Sequence, residues 1–270
     1  MSQLCNLFYW RSILAEFLGT ALYTCLVLGV SLSSDESKID DQLRIALSVG
    51  LTVACVSHMF APSSGGHINP AISLSCVIAR RISILQTIGY LIVQCGGAIT
   101  GAAIIFALTP SGRRDDLGVL SLRNSTTYWQ GFAMEGILGF FVSFVYLSAF
   151  DVNREDKSFG PGLAYGFATA AGHLLAVPYT SCGINPARAL APAIIKSHWP
   201  SYHWIYWAGP IVGAVLAGSL YALVFSVPEE SYSGRADFTR SNDYIIERPP
   251  GLDGDKARVN GSSGYGNTTM

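Results

Sequence analysis

Two triplets carry the most specific chemistry in the chain: Asn69-Pro70-Ala71 and Asn185-Pro186-Ala187, the second followed at once by Arg188. An asparagine amide offers two donors and an acceptor, and an arginine adds five donors and a permanent charge. Each triplet follows a polar stretch containing glycine, Ser63-Ser64-Gly65-Gly66-His67 and Thr180-Ser181-Cys182-Gly183. A glutamate, Glu16 or Glu135, stands upstream of each within an apolar run, at separations of 69 − 16 = 53 and 185 − 135 = 50 residues. These groups donate, accept and repel. They form no nucleophile with its base, no metal-ligand cluster and no phosphate loop. The expected chemistry is recognition and electrostatic rejection, with no cofactor and no enzymatic step. The six cysteines (Cys5, Cys25, Cys55, Cys76, Cys95, Cys182) lack metal-ligand spacing and read as small apolar packing residues. A formal net charge of −1 argues against a nucleic-acid partner.

The elements that must position these groups are long and apolar. Half of the residues are hydrophobic and 13% are charged, against roughly 25% charged in soluble domains. The apolar residues fall in six blocks: Ile13 to Leu32, Leu43 to Phe60, Ile84 to Leu108, Trp129 to Phe150, Phe159 to Val177 and Trp204 to Val227. Each is close to the ~20 residues that carry a helix across ~30 Å of hydrocarbon. They are apolar all round rather than striped, which predicts six membrane-spanning helices. The first block is too long for a signal-peptide core and ends without a small-x-small cleavage site, so it reads as a retained span. Small residues four apart, Gly97/Gly101, Gly162/Gly166 and Gly209/Gly213, fit close helix packing.

The runs that follow the triplets, Ala71 to Ala79 and Ala187 to Ile195, are too short to span. Asn suits an N-cap and Pro the first helical position, so each triplet opens a half-helix that dips into the membrane. Irregular backbone survives at that depth only where protein or a water-filled cavity covers it. Three spans per half make the second half enter from the opposite side, an inverted repeat with its site near the midplane. There the positive ends of two half-helices, each worth roughly half an elementary charge, would repel a cation. Arg188, a charge at membrane depth, costs ~2.5–3.5 kcal/mol even on insertion scales and so reads as functional. The predicted organisation is an N-terminal segment (1–10), a membrane domain (11–226, repeats at about 11–110 and 128–226) and a disordered tail (227–270). The tail holds 12 charges against 23 in the preceding 226 residues.

The stretches Gly66-His67-Ile68-Asn69-Pro70-Ala71 and Gly183-Ile184-Asn185-Pro186-Ala187-Arg188 resemble the paired signature of the aquaporin (major intrinsic protein) family. The resemblance covers about residues 8 to 227. It implies an all-α membrane fold with six spans and two re-entrant half-helices around a central pore. It further implies a homotetramer with one pore per subunit and cytoplasmic termini, in the plasma membrane, with water as permeant. Within the family the chain looks like the water-selective type. Ala189 stands where glycerol channels typically carry Asp, Tyr206-Trp207 matches the water-channel type, and the segment from Thr180 to Trp204 lacks the long insertion of glycerol channels. The resemblance places the four selectivity-filter positions at Val49, His173, Cys182 and Arg188. His173 alone would read as an ordinary core histidine; the resemblance makes it a donor to water. Val49 departs from the phenylalanine usual in strict water channels, which leaves room for small neutral solutes.

Glu16 and Glu135 are expected to accept hydrogen bonds from the half-helix loops, because buried polar groups need partners; a proton-relay role in an ion-coupled transporter is the competing reading. His58 and His67 are candidates for pH sensing. Arg80-Arg81-Ile82-Ser83 resembles a kinase site at Ser83, or a basic anchor to anionic lipid. Asn124-Ser125-Thr126 is a glycosylation sequon, as are those beginning at Asn260 and Asn267. Thr268-Thr269-Met270 could serve a PDZ-type partner. Lys and Arg are balanced between the two sets of loops, so charge alone gives no orientation.

Overall fold

The computed structural model describes residues 6–32, 38–114, 116–154 and 159–226, and over these the chain is helical with no strand. The tail, its sequons and the terminal triplet lie outside the described residues, as does Cys5. Eight helices follow in order: α1 (Leu7–Leu32), α2 (Ile39–Ser64), α3 (Pro70–Ile78), α4 (Ile84–Leu108), α5 (Tyr128–Ala149), α6 (Pro161–Thr180), α7 (Pro186–Lys196) and α8 (Ile205–Leu220). A π-helical turn, Tyr221–Phe225, extends α8.

Five of these, α1, α2, α4, α5 and α8 with its extension, are long and apolar enough to cross a membrane. The sixth expected span, α6, has 20 residues but falls short on hydropathy. Its Gly162, Gly166, Gly172 and His173 dilute the apolar run, and all four are buried. The chain thus turns its polarity inward. Glu16, Gln94, Glu135, His173 and Arg188 are buried. Leu14, Leu18, Leu22 and Leu26, one stripe of α1, are each more than two-fifths exposed. This reverses the burial of a soluble helix and suits hydrocarbon on the outside. Trp129 and Trp204 (ring centroids 6.0 Å apart) and Tyr128 and Tyr202 (5.9 Å) gather at one end, as aromatic side chains do at a membrane interface.

The internal repeat is visible atom by atom. A Cβ at Gly97 of α4 would overlap the Phe17 carbonyl and Ala21 nitrogen of α1. A Cβ at Gly213 of α8 would overlap the Gly136 carbonyl and Phe140 nitrogen of α5. Between α2 and α6 the relation is reciprocal: Gly50 meets Ala170 and Gly166, while Gly166 meets Ala54 and Gly50. Glycine at each crossing lets backbones approach closely where apolar burial cannot drive association. The α1–α4 and α5–α8 pairs are therefore copies of one arrangement.

The half-helices α3 and α7 have 9 and 11 residues, or about 14 and 17 Å of rise. Neither spans ~30 Å of hydrocarbon, and together they do. Ser83 caps α4, its hydroxyl accepting from the Gln86 nitrogen at 3.1 Å. Thr127 and Gln130 close a capping box on α5.

Candidate pore site

Asn69 and Asn185 cap the two half-helices, and each side chain does two things. The Asn69 oxygen accepts from the Ala71 nitrogen at 2.9 Å, and the Asn185 oxygen from the Ala187 nitrogen at 3.0 Å. Their amide nitrogens reach across to the opposite loop: Asn185 Nδ2 donates to the Ile68 carbonyl at 2.8 Å and Asn69 Nδ2 to the Ile184 carbonyl at 3.4 Å. The positive ends of α3 and α7 are thus tied together, and each amide carries a second hydrogen, with the Tyr165 hydroxyl beside Asn69 and the Tyr23 hydroxyl beside Asn185.

The loops that deliver these caps are strained. Ile68 and Ile184, each just before its asparagine, have φ of 48° and 53°, a left-handed conformation that costs a β-branched residue about 1–3 kcal/mol. The buried glutamates hold it. Glu16 accepts from the backbone of His67 (2.9 Å) and Ile68 (2.7 Å), from Ser64 (2.6 Å) and from Gln94 (2.8 Å). Glu135 accepts from the backbone of Gly183 (2.8 Å) and Ile184 (2.7 Å) and from Thr180 (2.7 Å). Both carboxylates are spent on local donors, which disfavours a relay. Two tyrosines complete the cradles: Tyr90 donates to the Ser64 carbonyl and Tyr206 to the Thr180 carbonyl, both at 2.9 Å. The sequence contained a signal for Tyr90 that spacing could have found, since 90 − 69 and 206 − 185 are both 21. Gln94, Tyr146 and Tyr165 had no such signal; the last two donate to the Gly65 and His67 carbonyls at 2.7 and 3.1 Å.

Val49, His173, Cys182 and Arg188 are all buried. Arg188 donates through Nη1 to the Gly118 carbonyl of the α4–α5 loop at 2.7 Å, while its Nε has no partner. His173 Nδ1 lies 2.9 Å from the Thr169 carbonyl. A carbonyl only accepts, so Nδ1 carries the proton and Nε2 of the neutral ring is an acceptor. In this tautomer His173 offers an acceptor beside the donors of Arg188, where the resemblance implied a donor. Beside the α4–α5 loop a cavity of about 220 Å³ is lined by Asp116, Ser121, Arg123, Lys196 and His198 among others.

The remaining candidates sit away from the two asparagines or are otherwise engaged. Ser83 is the α4 cap. Asn124 donates its amide nitrogen, the atom that would carry a glycan, to the Pro178 carbonyl at 2.7 Å. His67 Nδ1 lies 3.0 Å from the Ser73 hydroxyl, and His58 is exposed. On the other side, Arg81 bridges to Asp151 at 2.6 Å and donates to the Phe150 carbonyl. Tyr221 bonds the same carboxylate. Burial alone would raise the Asp151 pKa, but bonds from Tyr221 and the Asn153 backbone, with the Arg81 charge, hold it below the usual value.

Two half-helices joined at their capped N-termini, inside an inverted repeat of membrane-crossing helices, define a membrane channel. The chain belongs to the major intrinsic protein family, whose profile matches residues 3–221. It is 41% identical over 220 residues to Aquaporin-4 of Mus musculus, covering 80% of this chain and 68% of that protein. To Aquaporin-5 of Ovis aries it is 38% identical over 219 residues, covering 81% and 82%. The X-ray structure of the aquaglyceroporin from Plasmodium falciparum shares the fold, with a TM-score of 0.73 at 22% identity over 80% of this chain and 96% of that one. The chain is an integral membrane channel and not an enzyme.

Proposed function

We propose that the chain conducts water passively and excludes protons and other ions. The observation that carries this reading is the pair of asparagine caps bonded across the meeting point of α3 and α7. A water molecule that accepts from the second hydrogens of both amides is turned with its lone pairs toward the half-helices. It cannot both accept and pass on a proton there, and a cation meets two positive dipole ends. Arg188 adds a fixed positive charge, with an Nε that has no protein partner, and His173 Nε2 supplies an acceptor. Together they can replace hydrogen bonds that water loses on leaving bulk.

The names of the sequence relatives support water as the permeant. A wider pore is the second reading, favoured by Val49 where a bulkier side chain is usual; it would also pass ammonia, peroxide or urea. The four filter residues, a homotetramer with one pore per subunit, a plasma-membrane location, cytoplasmic termini and a PDZ-type partner of the tail belong to the same proposal. Stopped-flow light scattering on proteoliposomes tests it with an osmotic step of sucrose and then of glycerol. The first should give fast shrinkage with an activation energy near that of water diffusion, and the second no faster re-swelling than empty liposomes. Val49→Phe should keep water flow, and a solute flux that it abolishes would favour the wider pore.

A further inference from the structure

The α7 helix ends in a turn that gathers charge. Ser197 has a φ of 50°, and the His198 nitrogen donates back to the Ala193 carbonyl at 3.0 Å, a C-terminal motif that turns the chain at once. Lys196 and His198 thereby face the α4–α5 loop, which brings Arg123. All three line the cavity of about 220 Å³, with Ser121 and Tyr202 as further polar groups. Val49, His173, Cys182 and Arg188 are not among its described lining residues. Leu120, which lines it, packs with Ala189 and Tyr206 instead.

This lining suits an anion. Lys196 stands 5.8 Å from the Phe106 ring, a contact that places its charge without neutralising it. Among the described residues it forms no ion pair. Arg123 uses Nε on the Ser181 hydroxyl at 3.2 Å, one of its five donors. His198 is exposed and donates in either protonation state. Asp116 is the one carboxylate among the described lining residues. Basic groups drawn together from two segments repel one another, and an oxyanion between them replaces that repulsion with charge-assisted bonds. The volume is below the roughly 300–1,000 Å³ of drug-sized sites, which suits a single oxyanion group. Tyr202 also packs on Tyr128 in the aromatic cluster at this end of the molecule, so the cavity lies at the depth of lipid headgroups.

The same loop reaches the pore residues from its other side. Gly118 accepts from Arg188 at 2.7 Å, and the Ser121 hydroxyl meets that of Ser181, the neighbour of Cys182, at 3.2 Å. We propose that the cavity binds a phosphate-type oxyanion, free or on a lipid headgroup, between Arg123, Lys196 and His198, and that the occupant braces the loop that positions Arg188. The proposal holds whatever the channel conducts.

Isothermal titration of the full-length protein in neutral detergent at pH 7 tests it, with inorganic phosphate as probe and chloride at equal ionic strength as control. Wild type should bind phosphate saturably and chloride not. Lys196→Gln and His198→Gln should each weaken binding about tenfold, the factor that one charge-assisted hydrogen bond corresponds to. Asp116→Asn should tighten it several-fold. Arg113→Gln, at an exposed position on the same loop outside the lining, should leave it unchanged. His198 is exposed, so its variant decides the matter if Lys196→Gln fails to fold. Amide exchange over residues 116–123 should slow several-fold with phosphate bound. Dihexanoyl phosphatidylglycerol that displaces phosphate where dihexanoyl phosphatidylcholine does not would assign the site to a lipid headgroup; no displacement by either would assign it to the free anion. The proposal is overturned if wild type shows no saturable binding, if Lys196→Gln and His198→Gln bind as wild type does, or if Arg113→Gln weakens binding as much as they do. Unchanged amide exchange at saturating phosphate would overturn the bracing of the loop.

Discussion

Arg188 is held by one bond to Gly118 and keeps donors to spare, so its charge, more than its packing, is what a substitution removes. Arg188→Val should leave the fold and water flow intact while raising proton flux, read with a pH-sensitive dye inside vesicles; unchanged proton tightness would remove Arg188 from the barrier. The glutamates are the opposite case. Glu16→Ala strands the buried nitrogens of His67 and Ile68, at about 1–3 kcal/mol each. Glu135→Ala does the same to Gly183 and Ile184. Both variants should melt at distinctly lower temperature in detergent, and wild-type melting of either would contradict the strain-holding role. Which atoms these side chains meet was partly legible in the sequence. A carboxylate inside an apolar run must find donors, and the polar loops before the triplets were the available source. The tautomer of His173 was not legible, because it depends on the Thr169 carbonyl four residues back on the same helix.

At the scale of elements, spans and half-helices were legible within a few residues, because membrane length and the Asn-Pro cap leave little choice. The first helix begins at Leu7 rather than near Ile13, since Arg11 and Ser12 separate Leu7 to Trp10 from the apolar block in the sequence, whereas the helix runs through both. Two of the glycines at helix crossings, Gly50 and Gly139, stand without a second glycine four positions away, so pairs of glycines do not mark them and the packed structure does. Gly166→Leu should prevent assembly of α2 on α6, seen as loss of monodisperse protein on gel filtration. The tie from α3 through Arg81 and Asp151 to Tyr221 predicts a pH effect. The folded pKa of Asp151 is lowered from 3.8, so its contribution to stability is present above that value and is lost as pH falls through the lowered one. Melting temperatures of wild type and Asp151→Asn should differ at pH 7 and begin to converge as pH falls below about 3.8. A constant difference down to pH 3 would show that the ion pair contributes nothing.

For the molecule as a whole, the two halves make one device: each supplies a half-helix, a cap and a carboxylate, and neither barrier nor passage exists without both. The claim at the centre is that the crossed asparagine caps let water through while stopping charge. The most direct measurement is osmotic water flow and ion current on the same protein, reconstituted in liposomes and in a voltage-clamped planar bilayer. The account predicts rapid osmotic shrinkage with a low activation energy, and no Na⁺ or H⁺ current above that of protein-free membrane. Currents of either ion that scale with protein content would contradict it, as would water flow no faster than through lipid alone.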